Sequence, residues 1–230
     1  MKNLKKSLIV AAFFSLAFAL SAYAEETKTP TDVPAEVSEA IAAVQEVATP
    51  VEKTTLENLQ AAFNGESNAH ARYLAFAKKA DAEGYGKAAS LFRAAARAER
   101  VHFGRHAKVI KKMKAVPVAT IETPVVKSTA ENLKAAFDGE TYESTTMYPE
   151  FLAKADLDKN KDAADAFEDA GKAEAVHASL YKSAMDNLPE WKGKSEKFYV
   201  CTFCGNVVEK IDFKVCPICG KSKDLYAFVS

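Results

Sequence analysis

The chain has 230 residues, with 31 basic side chains against 31 acidic ones and 48% hydrophobic residues. Its zero net charge removes any bulk electrostatic case for nucleic acid or an anionic membrane as partner. The length allows one helical bundle and a small appendage.

Residues 1–24 read as a signal peptide. Lys2, Lys5 and Lys6 precede an apolar run from Leu8 to Leu20, and "SAYA" sets Ala22 and Ala24 in an A-x-A pattern, so cleavage is expected after Ala24. The run falls short of the roughly 20 residues of a bilayer span, and no cysteine follows it to carry a lipid anchor. The expected location is therefore outside the cytoplasm, in the periplasm, with no stable membrane insertion. Residues 25–53, rich in Ala, Val, Glu, Thr and Pro, are expected to form a tether.

Residues 54–188 repeat one pattern. "NLQAAFNGES" at 58–67 returns as "NLKAAFDGET" at 132–141. Capping boxes open each copy, Thr54-x-x-Glu57 and Ser128-x-x-Glu131. Behind them run stripes at helical spacing: Leu59, Phe63, Glu66, His70, Tyr73, Ala77 and Leu133, Phe137, Glu140, Ser144, Met147, Phe151. Glu66 and Glu140 therefore point inward, where a lone carboxylate is costly. Gly65 and Gly139, beside them, are expected to let a neighbouring helix or ligand come close.

A second helix follows each stripe, one carrying Phe92, Glu99, His102 and Ile110, the other Phe167, Glu174, His177 and Tyr181. "KAVPVATIETPVVKS" joins the two halves and is long enough to cross the bundle. Two helical hairpins packed as four helices then send into one core a Glu from each first helix and a Glu-x-x-His from each second helix. The i, i+3 spacing puts both residues on one face. This is the inventory of a di-iron or di-manganese carboxylate site in a ferritin-like bundle. The second copy adds a fifth carboxylate, Glu143, which a more oxidised metal pair can use. Tyr73 and Tyr148 are placed to bond ligands. Pro149 is expected to kink its helix near the metals. His70 and His106 have no assigned role: His106, four residues past His102, is a spare ligand at most, and both are expected to be partly buried or at the surface.

After a linker at 189–196, residues 197–230 hold all four cysteines, as Cys201-x-x-Cys204 and Cys216-x-x-Cys219, two knuckles that make a tetrahedral thiolate site. Disulfides are the alternative in an exported chain. Phe198, Tyr199, Phe203, Phe213, Tyr226 and Phe228 are available for a small aromatic core. Iron suits a redox site beside a metal pair, and zinc is the alternative metal.

"AAFNGES", "AERVH", "GETYESTTMYPEF", "AEAVH", "CTFCG" and "VCPICG" together resemble the rubrerythrin family, over about Thr54 to Ser230. The resemblance implies a mostly α fold: a ferritin-like four-helix bundle followed by a small rubredoxin-like metal domain with four cysteine ligands. It implies a di-iron centre of the Fe–O–Fe type held by Glu66, Glu99, His102, Glu140, Glu143, Glu174 and His177, with Glu99 and Glu174 bridging. It implies one further iron on Cys201, Cys204, Cys216 and Cys219. By the same resemblance Glu143 and His102 are the pair that exchanges on one iron upon reduction, and Tyr73 and Tyr148 match the family's tyrosines near the metals. The expected activity is reduction of hydrogen peroxide to water, with an unnamed electron-donor protein. A ferroxidase or iron-sequestering protein and a simple electron carrier are the rival readings. A homodimer or larger assembly is expected, because the end of the fourth helix is some distance from the metals and a partner's tail would have to serve them.

Overall fold

The computed structural model describes residues 53–230; the expected signal peptide and nearly all of the tether lie outside these residues. Among the described residues five α-helices make four rods. They are α1 (Thr55–Ala82), α2 (Gly86–Lys112), α3 (Thr129–Tyr142) continued through a π-helical turn (Glu143–Met147) into α4 (Tyr148–Leu157), and α5 (Lys161–Asp186). Three short strands follow, β1 (Phe198–Cys201), β2 (Val207–Val208) and β3 (Tyr226–Val229), in an antiparallel sheet of order β2-β1-β3. Among the described residues no helix is long and apolar enough to cross a membrane.

Local chemistry sets the helix ends. Both capping boxes form, at Thr54 with Glu57 and at Ser128 with Glu131. Each hairpin also supplies a carboxylate to the other. Glu83, just past α1, accepts from Thr129 N and Oγ1 at 2.8 and 2.6 Å. Asp158, just past α4, accepts from Thr55 N and Oγ1 at 3.3 and 2.7 Å. These bonds satisfy N–H groups that a helix start leaves free.

The crossover runs along α1 in extended form. Gln60 bonds Val116 O and Val118 N at 2.6 and 3.2 Å. Asn64 accepts from Thr120 N at 2.8 Å, and Asn68 bonds Thr120 O and Glu122 N at 2.9 and 2.8 Å. Side chains four residues apart on a helix thus replace the neighbouring strand that an extended segment normally needs.

Pro149 does not sit inside an α-helix: the preceding turn widens, with Tyr148 N–H reaching Glu143 O five residues back, and Pro149 falls at the start of α4, where its missing N–H costs little. Gly65 and Gly139 do not mark close approaches either, since a Cβ at either would meet nothing within 4 Å.

Ala88, Ala89, Ala94, Ala95, Ala96 and Ala98 are buried on α2 and allow close packing of the rods. A layer of charged side chains divides the core in two. Tyr73, Phe76, Phe92 and Tyr181 lie on one side, and Tyr148, Phe151 and Phe167 on the other. Each fully buried aromatic contributes about 1.5–3 kcal/mol, which offsets part of the cost of that layer.

The tail is not a separate appendage with its own aromatic core. Trp191, Phe198, Val200 and Val207 join the core of α1 and α2. Of the expected aromatic residues Phe203 and Phe228 are exposed, and Phe213 packs on Tyr226 with ring centroids 5.3 Å apart. The stretch expected to be a linker is ordered by a 3-10 turn (Leu188–Trp191) and by a close approach to α2. A Cβ on Gly86 would lie 2.7 Å from Lys194 C and Ser195 N, so only glycine fits there.

Candidate metal centre

Four carboxylates and two imidazoles converge in the charged layer. Glu66, Glu99, His102 and Glu174 form one group and Glu99, Glu140, Glu174 and His177 a second, with the ligand atoms of each group within 4.8 Å of one another. Glu99 and Glu174 belong to both. All six side chains are at most 1% exposed. The helical register accounts for the convergence: α1 and α3 each bring one Glu, and α2 and α5 each bring Glu and His one turn apart.

The imidazoles are oriented from behind. His102 Nε2 donates to Cys204 O at 2.9 Å and His177 Nε2 to Gly205 O at 3.1 Å. A carbonyl only accepts, so each Nε2 carries a hydrogen, and the neutral ring that would bind a metal has its lone pair on Nδ1, facing inward. His102 Nδ1 is 2.7 Å from Glu174 Oε1 and 3.0 Å from Glu99 Oε2, and His177 Nδ1 is 2.6 Å from Glu174 Oε2. A second partner of this kind is what fixes a ligating histidine in metal sites.

Tyrosines hold the two unshared carboxylates. Tyr73 donates to Glu140 Oε1 at 2.7 Å, and Tyr148 donates to Glu66 Oε1. The other oxygens, Glu66 Oε2 and Glu140 Oε2, have no hydrogen-bond partner, nor has Glu99 Oε1. Burial, reinforced by the neighbouring carboxylates, pushes Glu66 and Glu140 well above the usual carboxylate range. Burial would lower His102 and His177, but Glu174 beside them, with Glu99 at His102 and Glu140 at His177, holds both well above the ordinary imidazole value. Glu174 goes the other way: burial raises it, and the two histidines more than reverse this. Buried charges cost several kcal/mol each when unpaired. Without a cation these side chains keep protons between them; two divalent cations would balance four carboxylates.

Glu143, expected among the ligands, stands apart from the converging atoms. It lies half-buried in the π turn, its carboxyl raised well above its usual range by burial and then by Glu66 and Glu140. His70 is half-buried against Ala96 O at 2.6 Å. His106 is fully buried, contrary to expectation.

The four cysteines form the second centre, with all four Sγ atoms within 4.8 Å of one another. Cys201 and Cys219 are 3.9 Å apart, and Cys204 and Cys216 3.6 Å. Tetrahedral metal–sulfur bonds of about 2.3 Å give an edge of about 3.8 Å, whereas a disulfide needs about 2.05 Å. All four thiols are free. Gly205 N–H and Gly220 N–H close the two knuckles onto Cys201 O and Cys216 O, each at 2.9 Å.

The first knuckle is the one that touches the bundle. A Cβ on Gly205 would lie 2.8 Å from His102 Cδ2 and 3.0 Å from Cε1, and nearer still to Nε2. The thiolate site therefore abuts the carboxylate site of its own chain. This removes the distance argument for a partner's tail, because the turn after α5 folds the tail back along α2.

The sequence profile of the rubrerythrin family matches residues 57–185. The chain belongs to the rubrerythrin family. Nigerythrin of Nitratidesulfovibrio vulgaris is 40% identical over 174 residues, spanning 75% of this chain and 85% of that protein. Rubrerythrin-2 of Clostridium acetobutylicum is 35% identical over 175 residues, 75% of this chain and 95% of that protein. The fully reduced, all-ferrous structure of nigerythrin superposes with a TM-score of 0.72 at 38% identity, covering 80% of this chain and 91% of that one. Membership brings a non-haem di-iron site with carboxylate and histidine ligands, a rubredoxin-like iron site on the four cysteines, and a peroxidase-type oxidoreductase role at the level of the family.

Sequence reasoning missed Gly205 as a neighbour of the centre. Tyr181 and His106 lie four residues beyond His177 and His102, a spacing visible in the sequence, but the pattern gives neither a part in the site.

Proposed function

We propose that this protein reduces hydrogen peroxide to water at the carboxylate centre, with electrons entering through the cysteine site. Glu66, Glu99, Glu140, Glu174, His102 and His177 would hold two irons, with Glu99 and Glu174 shared and Glu143 in reserve at the edge. The partnerless oxygens of Glu66, Glu99 and Glu140 support that fit. A bound iron pair supplies the two electrons that cleave the O–O bond.

The protein's own groups do the rest. Reduction of peroxide to two waters consumes two protons. Tyr148 Oη holds one against Glu66 Oε1, Tyr73 Oη holds one against Glu140 Oε1, and Glu143 keeps a proton at the half-buried edge. The aromatic layers on both sides limit water.

The observation that carries the relay is the pair of bonds from Cys204 O and Gly205 O to the two imidazoles, at 2.9 and 3.1 Å. They leave one peptide unit between the Cys204 thiolate and His102 and two between it and His177, an arrangement that iron storage does not call for. Steady-state turnover of peroxide with an external reductant, set against turnover of Fe(II) with oxygen, tests the reading. Faster iron oxidation than peroxide reduction would favour a ferroxidase. Export to the periplasm belongs to the same proposal and rests on residues 1–24; fractionation of cells with N-terminal sequencing of the mature chain tests it.

A further inference from the structure

His106 is a buried ionisable group that the peroxidase reading leaves without a task. It lies one turn beyond His102 on α2 and is 0% exposed. Its Nε2 is 3.1 Å from Tyr148 Oη, its ring is inclined 30° to that of Tyr148 with centroids 5.9 Å apart, and Phe167 packs at 5.5 Å. Its Nδ1 has no partner.

A neutral imidazole has one N–H and one lone pair. Burial, with His102 and Arg105 nearby and only Glu174 opposing, holds His106 down to about 3, so the ring is neutral. A buried N–H left unpaired is costlier than an idle lone pair. The hydrogen therefore belongs on Nε2, where it has an acceptor. Tyr148 has a single proton, and with His106 donating to its oxygen that proton can only go to Glu66 Oε1. The bonds form a directed chain, His106 Nε2–H to Tyr148 Oη–H to Glu66 Oε1. Such chains polarise and strengthen each member. Among the described residues nothing hydrogen-bonds Nδ1, where the chain begins.

The other half of the bundle lacks this link. The residue four beyond His177 is Tyr181, whose hydroxyl has no partner, so no buried histidine backs the bond from Tyr73 to Glu140, and the polar neighbour of Tyr73 there is the Arg72 guanidinium. We infer that His106 is a positioning residue that commits the Tyr148 proton to Glu66 Oε1, presents the free Glu66 Oε2 to metal, and makes the two metal positions unequal. This rests on the metal-binding reading of the carboxylate centre.

The test is anaerobic calorimetry with Co(II), a redox-silent probe, on the full chain. The parent chain should bind two Co(II) at the carboxylates with different affinities. H106F, which keeps the volume and loses the donor, should weaken one of the two by about tenfold. H106Q restores an N–H near the same place and should return to within about threefold. In a Y148F background, H106F should add less than about twofold. Parent-like binding in H106F, an equal loss in H106Q, or an undiminished loss in the Y148F background would each overturn the inference. No carboxylate-site Co(II) in the parent chain would overturn the metal reading itself and the inference with it. If H106F does not fold, 15N NMR of the histidines in the zinc-loaded parent chain decides: an Nε2–H tautomer at His106 is expected, and an Nδ1–H tautomer would refute the chain.

Discussion

Gly205→Ala is the perturbation that most directly probes the junction between the two centres. The new Cβ would sit 2.8 and 3.0 Å from two ring carbons of His102, where ordinary contact is about 3.5–4.0 Å. The knuckle or the ring must yield by about 1 Å. Hydrogen bonds now at 2.9 and 3.1 Å would then exceed bonding range. Two lost bonds cost about 1 kcal/mol each. The backbone at Gly205, with φ +81°, adds roughly 1–2 kcal/mol for a residue with a Cβ. The total is about 3–4 kcal/mol, or a fall in melting temperature of about 6–16 °C for a domain of this size. Calorimetric melts read the stability. Stopped-flow spectroscopy reads the function: peroxide turnover driven through the cysteine site should slow by at least an order of magnitude, while one turnover of chemically pre-reduced, metal-loaded protein, which feels only the shift of His102, should slow much less. Unaltered reductant-driven turnover in a Gly205→Ala chain with a lowered melting temperature would refute the direct path.

Cys204→Ser should leave the bundle folded and its metals bound, with reductant-driven turnover collapsing; turnover at the parent rate would mean electrons enter elsewhere. Glu143→Ala should still bind two metals, because four carboxylates balance two divalent ions, whereas Glu99→Ala should lose metal; metal analysis of the purified variants decides. The metal-free chain should become less stable as pH rises above the ordinary carboxylate value. Glu66, Glu140 and Glu143, with His102 and His177, all bind protons more tightly folded than unfolded, so their contribution is present in acid and is lost as they ionise. Glu174 opposes this only below the ordinary carboxylate value, and His106, held down to about 3, opposes it between pH 5 and the ordinary imidazole value; the five raised groups outweigh that one, so melts of chelated protein at pH 5 and pH 8 should show the lower melting temperature at pH 8. Glu83→Ala should cost about 1 kcal/mol, as for a lost helix cap, seen as a shift in the melt.

The convergence of six acidic and imidazole side chains was legible because it follows helical register. Glu66, Glu99, His102, Glu140, Glu174 and His177 sit at spacings that only one face of each helix can satisfy, and the cysteine knuckles have fixed loop lengths. The capping boxes likewise name their own partners three residues on. What was not legible depends on contacts between distant segments. The docking of the tail follows from the backbone of Lys194 and Ser195 lying on Gly86, and from Gly205 meeting His102, neither of which has a local signature. His106 looked spare because its only polar partner, Tyr148, is 42 positions away. Gly65 and Gly139 misled because a repeated glycine suggests crowding, and their surroundings are open. Pro149 announced a disturbance without its form, since both a kink and a π turn relieve the missing N–H.

The exchange of carboxylates between the hairpins bears on how such a chain can fold. Glu83 serves Thr129 while Asp158 serves Thr55. Residue i of one half touches j of the other and j' touches i', which is the rule for an isologous interface between identical subunits. Either hairpin alone would leave one opening N–H, that of Thr55 or Thr129, without its partner and its half of the acid layer open to water. Two copies of one hairpin could satisfy the same bonds across an axis. The 53–188 segment is thus a fused dimer in its bonding, and a fragment ending in the crossover has no stable fold to fall back on except by finding a second copy of itself.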